Sequence, residues 1–383
     1  MDITGRLLNI AATVLIYLLS VQFLNYFSLK KLGRFPGAAD YPFVSVLVPA
    51  RNEERNIEKC IQSLLAQDYP DYELLVLDDE SEDQTWPLLS RLAEGKADFH
   101  LLKGKPLPEG WVGKCWACHQ LAEKARGEYL LFVDADTVHQ PSMLRSVIDA
   151  AHYYRADLIS GLPQEKVETL SELLTVPLIT WGIFAALPLP LAFAHPSPVL
   201  SITIGQLLLF KREAYDRIGG HQAVKDHVCE DMALGRLMKA RGFRWRLVDA
   251  GAVTGCRMYT GLRDAVNGLS KTIYGALNFR IGVVFLFSLL LGLMFCLPPW
   301  VLLKSLAVPL PRALVRQAVT TTALAFLSWA IAGLRFRMPL STAIHYPLIS
   351  VLAIFIFLRS AYQTVTGKAH WKGRLLARRK LSW

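Results

Sequence analysis

Residues 7–29, LLNIAATVLIYLLSVQFLNYFSL, form an uncharged, mostly apolar run, and no other feature restricts the chain as strongly. About 20 such residues cross a bilayer as a helix. A cleaved signal peptide would end in a small-residue cleavage site, but Lys30, Lys31 and Arg34 follow instead, so the run reads as a retained anchor (1–34). Three further apolar segments, about 281–303, 318–334 and 341–358, lie within a C-terminal membrane region (281–362) and raise the hydrophobic share of the 383 residues to 52%. The formal net charge of +10 is concentrated at Lys30, Lys31 and Arg34 and in the tail (363–383), at Lys368, Lys372, Arg374, Arg378, Arg379 and Lys380. Basic clusters beside apolar runs favour the cytoplasmic face and its anionic lipids, which predicts a multi-pass plasma-membrane protein with a cytoplasmic middle region. No basic stretch with interleaved aromatics lies in that region, which argues against a nucleic-acid partner. The topology carries a conflict. Three C-terminal crossings would place the basic tail outside, so one segment is expected to be re-entrant or interfacial, and Pro298-Pro299 points to the first.

Between the apolar ends (35–280) strands and helices alternate. FVSVLVPA (43–50), YELLVLDD (72–79), FHLLKG (99–104) and YLLFVD (129–134) read as strands, with helical patterns over 52–67, 83–94 and 116–126. Continuously apolar strands imply an α/β fold with a mostly parallel, Rossmann-like sheet covered on both faces. Ligands of such sheets bind beyond the carboxyl ends of the strands. Three strands end there in polar clusters: Arg51-Asn52-Glu53, Asp78-Asp79-Glu80 and Asp134-Ala135-Asp136. Asp83 reads first as a helix cap, and Glu54, Arg55 and Glu58 as a solvated helix face. Two acidic clusters at one edge repel each other unless a cation or a donor lies between them. Asp134 and Asp136, two apart in extended chain, would face the same side and suit a hard cation, Mg²⁺ or Mn²⁺, that keeps waters and substrate phosphates.

VSVLVPARNEERNIEKCIQSLLAQDYP, DDESEDQT, FVDADT and CEDMALGRLM, in that order over about 42–275, resemble the family 2 glycosyltransferases of the GT-A fold. GWVGKCWACHQLAEKARGEYLLFVDADT, GQLLLFKREAYDRIGGH, CRMYTGLRDAVNGLSK and LRSAYQTVTGKAHWKGR are similar to the membrane-bound branch that glycosylates lipids, including carotenoid (diaponeurosporenoate-type) and hopanoid-associated enzymes. The resemblance implies a nucleotide-sugar donor, a UDP-sugar by expectation, and a lipid-like acceptor. It implies Asp136 as the metal ligand, with Asp134 on the sugar or ribose and helping to set the metal. Asp79 and Asp78 would contact the base or ribose, and Arg51 and Glu53 would line the same pocket. Asp231 would be the general base of a single inverting displacement, with Glu230 raising its pKa by like-charge repulsion; a helix-capping role for this acid pair is the alternative. Such a base favours a hydroxyl over a carboxylate acceptor.

Lys114, ahead of a helical segment, could reach a phosphate, and Arg257 and Lys271 are candidates for the diphosphate. Gln206 could contact donor or acceptor, or serve as a polar core residue. The Q/R-x-x-R-W signature of related polymer synthases is absent from GLRDAVNGLSK, which weighs against a processive polysaccharide synthase. A non-catalytic scaffold has no need of Asp134, Asp136 and Asp231 together. Cys115-Trp116-Ala117-Cys118-His119 spells a haem-attachment motif, but the expected cytoplasmic setting opposes that chemistry, and the apolar face of a helix would bury one of the thiols. The other cysteines form no framework, as expected in a reducing compartment. Residues 173–200, apolar but broken by five prolines, are expected as an amphipathic segment on the bilayer surface beside the active site, with a buried helix as the alternative.

Overall fold

The computed structural model describes residues 3–376 and Arg379, so Arg378 and Lys380 of the basic tail lie outside the described residues. The chain divides into a globular unit (29–165 and 191–257) and a helical unit (3–28, 166–190 and 258–376, with Arg379). This differs from the expected division, because 166–190 and 258–280 group with the apolar helices.

The globular unit is built on strands β1 (Val44–Ala50), β2 (Tyr72–Asp78), β3 (Phe99–Lys103), β4 (Tyr129–Phe132), β5 (Thr137–His139), β6 (Leu158–Leu162), β7 (Gln164–Glu165), β8 (Leu208–Lys211), β9 (Trp245–Asp249) and β10 (Thr254–Cys256). Seven form one sheet in the order β3-β2-β1-β4-β8-β6-β9, and β5-β10-β7 form a second. Only β8 runs against its neighbours in the large sheet. Both faces are covered, as the apolar strands require. Val44, Val46 and Val48 of β1 pack with Ile57, Cys60, Ile61 and Leu64 of the helix Ile57–Leu65, while Leu47, Leu75 and Phe132 are buried as well. That helix starts later than the expected 52, because Asn52 adopts a left-handed φ of 52° and the Glu53 carbonyl accepts the amides of Asn56 and Ile57. The segment after the first apolar helix belongs to the sheet: Leu32 donates to the Asp249 carbonyl and Asp249 to that of Lys30, at 2.8 and 2.9 Å.

The helical unit holds four helices long and apolar enough to cross a membrane: Ile3–Ser28, Ile281–Ala307, Arg312–Phe336 and Thr342–Thr366. The second passes Pro298-Pro299 without breaking. A π-helical turn over Gly292–Cys296 lies where those prolines cannot donate, which absorbs their steric demand. The third is 25 residues, longer than the apolar stretch read from sequence. Leu8 packs with Val301, Leu314 and Ala318, and Gln22 donates to the Ser328 carbonyl at 3.0 Å, so Ile3–Ser28 and Arg312–Phe336 run parallel. The last helix behaves differently. Its Tyr346 ring meets Phe295, midway along the second helix, whereas Ala361 packs with Ile281 and Val284 at that helix's start. Ser360 accepts the Tyr274 amide at 2.9 Å, and Arg359 donates to Asn267 at 2.8 Å on the helix Leu262–Ala276. Thr342–Thr366 therefore runs against the first half of Ile281–Ala307, from the level of its middle to the level of its start.

The 166–190 segment corrects an expectation. Its helix Pro177–Ala186 buries Leu178, Trp181, Ile183 and Phe184, and Trp181 stacks on Trp329 at 4.9 Å and meets Phe295 edge-on. Asn25 donates to the carbonyls of Phe184 and Leu187 at 2.8 and 2.7 Å. Within the expected 173–200 segment, Pro177–Ala186 is therefore the buried helix of the alternative reading, while 191–200 fall in the globular unit.

Candidate active site

Parallel strands deliver their last residues to a common edge. Because β8 is antiparallel to β4, with Phe132 opposite Leu208, the residues just before β8 reach the same edge as those just after β4. Gly205 and Gln206 therefore lie level with the acids that follow β4. Those acids are not in extended chain as expected. The strand ends at Phe132, and Thr137 donates its amide and hydroxyl to the Asp134 carbonyl at 3.2 and 2.6 Å, closing a turn. The turn sends the two carboxylates to different neighbours.

Asp134 belongs to the first cluster. The Lys114 ammonium, in the opening turn of the helix Gly113–Lys124, lies 2.7 Å from Asp134 Oδ1 and 2.9 Å from Glu230 Oε1. Burial opposes the charge on Lys114, but Asp134 and Glu230 hold its pKa well above the ordinary lysine value. Glu230 and Asp231 open the helix Glu230–Ala240, where the helix dipole favours acids. Asp231 Oδ2 accepts the Gly205 amide at 2.9 Å and Oδ1 the Met232 amide at 2.7 Å. Burial, then the Glu230 charge, push the Asp231 carboxyl up to about 7, against the pull of Lys114.

Gly205 lies close against these groups. A Cβ there would stand 3.1 Å from Lys114 Nζ, 3.4 Å from Asp231 Oδ2 and 3.7 Å from Asp134 Oδ2. Gly205→Ala is expected to slow turnover about tenfold or more, because small displacements of reacting groups are costly, with little change in unfolding temperature. Steady-state kinetics beside a melting curve checks this.

Asp136 belongs to the second cluster, on the small sheet. Thr137, Cys256 and Glu165 occupy one row across β5, β10 and β7. Gln206, 4% exposed, donates its Nε2 to Glu165 Oε1 at 3.3 Å. Glu165 Oε2 and Gln206 Oε1 are both buried with no hydrogen-bond donor. Burial, then the Asp136 charge, push the Glu165 carboxyl up to about 8. The Cys256 thiol is held well above its ordinary pKa by burial and then by the same two carboxylates. The sequence reading passed over Glu165, although it carries the signal used elsewhere: an apolar strand, β6, ends in a polar pair, Gln164-Glu165. Among the described residues no three carboxylate, imidazole or thiol groups gather at metal-binding separation. A hard cation here would therefore need amide and phosphate oxygens besides two carboxylates, which fits an ion that prefers oxygen and shares its ligands with substrate.

Asp78 and Asp79, at the end of β2, are buried. Arg51 donates to the Asp79 carbonyl and, at 2.8 Å, to that of Glu80, so it braces the loop after β2. Glu53 accepts from Asn56 at 3.2 Å through its carboxylate. Asp83 lies one residue ahead of Gln84, the N-cap of the helix Thr85–Ala93, and accepts the Thr85 amide at 2.9 Å and the Glu54 amide at 3.1 Å. Arg257 follows Cys256 at the end of β10, next to the second cluster. Lys271 lies on Leu262–Ala276 in the helical unit and is not among the groups gathered in the globular unit. Both thiols of the C-x-x-C-H stretch are buried, Cys115 against the carbonyls of Val224 and His227, and the His119 ring approaches Glu123 at 3.5 Å.

The mostly parallel sheet, with acids and a lysine at its carboxyl edge, has the GT-A fold by the likenesses that follow. The comparisons carry this further: residues 45–219 match the model of glycosyl transferase family 2, and the chain carries a domain of that family. Asp231 lies just beyond the matched region. The chain is 25% identical over 238 residues to the 4,4'-diaponeurosporenoate glycosyltransferase of Staphylococcus haemolyticus, covering 60% of each chain. It is 36% identical over 109 residues to the beta-monoglucosyldiacylglycerol synthase of Trichormus variabilis, covering 28% of this chain and 23% of that one. The chain thus spans less than two thirds of the length of each of these relatives, 60% and 23%. In fold it is similar to the mannosyltransferase PcManGT from Pyrobaculum calidifontis, solved with GDP-Man and Mn²⁺, at a TM-score of 0.56 and 20% identity, over 93% of this chain and 98% of that one.

Proposed function

We propose that the protein is a membrane-bound inverting glycosyltransferase that moves a sugar from a nucleoside diphosphate sugar to a hydroxyl of a lipid-like acceptor. The observation that carries this reading is Asp231: a half-buried carboxylate opening a helix, fixed by two amide donors and level with Lys114 and Asp134. The names of the two relatives, one glycosylating a diaponeurosporenoate and one forming monoglucosyldiacylglycerol, support an apolar acceptor. A UDP-sugar is the first donor to test.

The mechanism follows from this chain's own groups. Asp231 takes the proton of the acceptor hydroxyl as its oxygen attacks the anomeric carbon from the face opposite the leaving diphosphate. A carboxyl pushed up to about 7 is basic enough to accept that proton and still ionised in a useful fraction at neutral pH. Lys114 holds Asp134 toward the donor sugar, and Asp79 and Asp78 serve the base and ribose. Held by Asp136, Mg²⁺ or Mn²⁺ would neutralise charge on the diphosphate.

The pH profile tests the base. Transfer, measured as kcat/KM, rises with pH through about 7 as Asp231 loses its proton. Glu230→Gln removes one of the charges that raise it and moves the rising limb to lower pH. A limb that stays in place in the variant contradicts the assignment.

The membrane topology we propose differs from the sequence expectation, which put the re-entrant segment at Pro298-Pro299. Ile3–Ser28, Ile281–Ala307 and Arg312–Phe336 cross the membrane, while Thr342–Thr366 returns to the side it left, so the globular unit and the tail share the cytoplasmic face. Lys30, Lys31, Arg34, Arg280, Arg335, Arg337 and Lys368 then lie inside, against Arg6, Lys304, Arg312 and Arg316 outside. Pro309→Cys is expected to react with an impermeant maleimide on intact cells, and Lys368→Cys only after permeabilisation. Labelling of the variant at 368 on intact cells would overturn this topology.

A further inference from the structure

We propose that Glu165 and Gln206 complete the divalent-cation site, so that Asp136, Glu165 Oε2 and Gln206 Oε1 present three oxygens to one ion. The inference rests on the transferase reading and extends it to residues that the Asp134–Asp136 pair does not include.

Two buried acceptor oxygens lack any donor, Glu165 Oε2 and Gln206 Oε1. Leaving such atoms unsatisfied is costly, and a carboxylate costs more when a second one lies nearby. The chain keeps both beside Asp136 on the small sheet, where Glu165 and Cys256 share a register pair and Cys256 pairs onward with Thr137. The Gln206 amide spends its Nε2 on Glu165 Oε1, which turns its own oxygen away from that bond and fixes the carboxylate. An anion would leave acceptors facing acceptors, and a hydroxyl or water donor would leave the carboxylate charges unbalanced. A hard divalent cation satisfies all three oxygens, balances both carboxylate charges and leaves positions for diphosphate oxygens and water. Gln206 reaches the site because β8 is antiparallel, and Glu165 because β7 continues from β6 at the same edge.

The test is Mn²⁺ binding to the full-length protein in detergent without nucleotide, followed by loss of the free Mn²⁺ EPR signal, with a melting curve for each variant with and without Mn²⁺. Glu165→Gln is expected to weaken Mn²⁺ affinity about tenfold or more. Its metal-free melting temperature is expected to equal or exceed the wild type, since a repulsion with Asp136 is removed. Gln206→Leu is expected to weaken binding in the same direction, and Gln206→Glu to strengthen it. A merely structural Glu165 would show the opposite pattern: a lower metal-free melting temperature and unchanged affinity, which overturns the inference. If Asp136→Ala abolishes Mn²⁺ binding while Glu165→Gln binds as wild type, this inference alone fails. If neither change alters Mn²⁺ binding, the cation part of the proposed function fails with it.

Discussion

Asp231→Asn is expected to lower the rate of sugar transfer by about 10²–10⁴-fold, the range a positioned general base contributes. Binding of the nucleotide sugar should stay within about threefold, because the lost interaction acts only once the acceptor attacks. The asparagine keeps an oxygen for only one of the Gly205 and Met232 amides and turns its NH2 toward the other, so a melting curve is run beside the kinetics to separate a local shift from loss of the base. Single-turnover transfer measured beside donor titration separates these effects. Unchanged turnover removes Asp231 from the reaction, and equal losses in binding and turnover make it a donor-binding group instead.

The second large effect concerns Asp136. Asp136→Ala is expected to lose at least about 100-fold in Mn²⁺-dependent affinity for the nucleotide sugar, since a bound cation supplies several kcal/mol of charge stabilisation at a phosphoryl oxygen. Asp134→Ala should act differently. It releases Lys114 from one of its two carboxylate partners and is expected to impair turnover more than cation binding. Donor titration by calorimetry, with and without Mn²⁺, distinguishes the two acids. The same donor affinity in both conditions for the wild type contradicts the cation assignment.

The strands of the large sheet were legible because burial on both faces demands continuous apolar runs, and β1, β2 and β4 have them. The ligand edge was legible for the same reason, as charged residues interrupt such runs only where the strand leaves the core. What the sequence hid depends on contacts made over long separations. The turn at Asp134–Thr137 was missed because two acids at a strand end look alike whether the chain stays extended or turns, and only the Thr137 hydroxyl bond to the Asp134 carbonyl decides it. Glu165 was missed because its meaning comes from pairing with β10, some ninety residues onward. The Pro177–Ala186 helix was misjudged for a related reason. A helix apolar on every side can lie at a bilayer or inside a bundle, and its stack on Trp329 is invisible in local periodicity. Pro298-Pro299 looked like a break because proline removes a donor, and the π-helical turn that accommodates the pair has no sequence signature of its own.

The central claim is transfer to a lipid hydroxyl, and one measurement addresses it directly. Membranes containing the protein are incubated with Mn²⁺ and a panel of labelled nucleotide sugars, UDP-sugars first, and the lipid extract is analysed by mass spectrometry. The account predicts a single hexose added to a hydroxyl-bearing lipid, present with the wild type and absent with the Asp231→Asn variant. Label recovered only as free sugar or as a water-soluble polymer, or a lipid product formed equally by that variant, would contradict it.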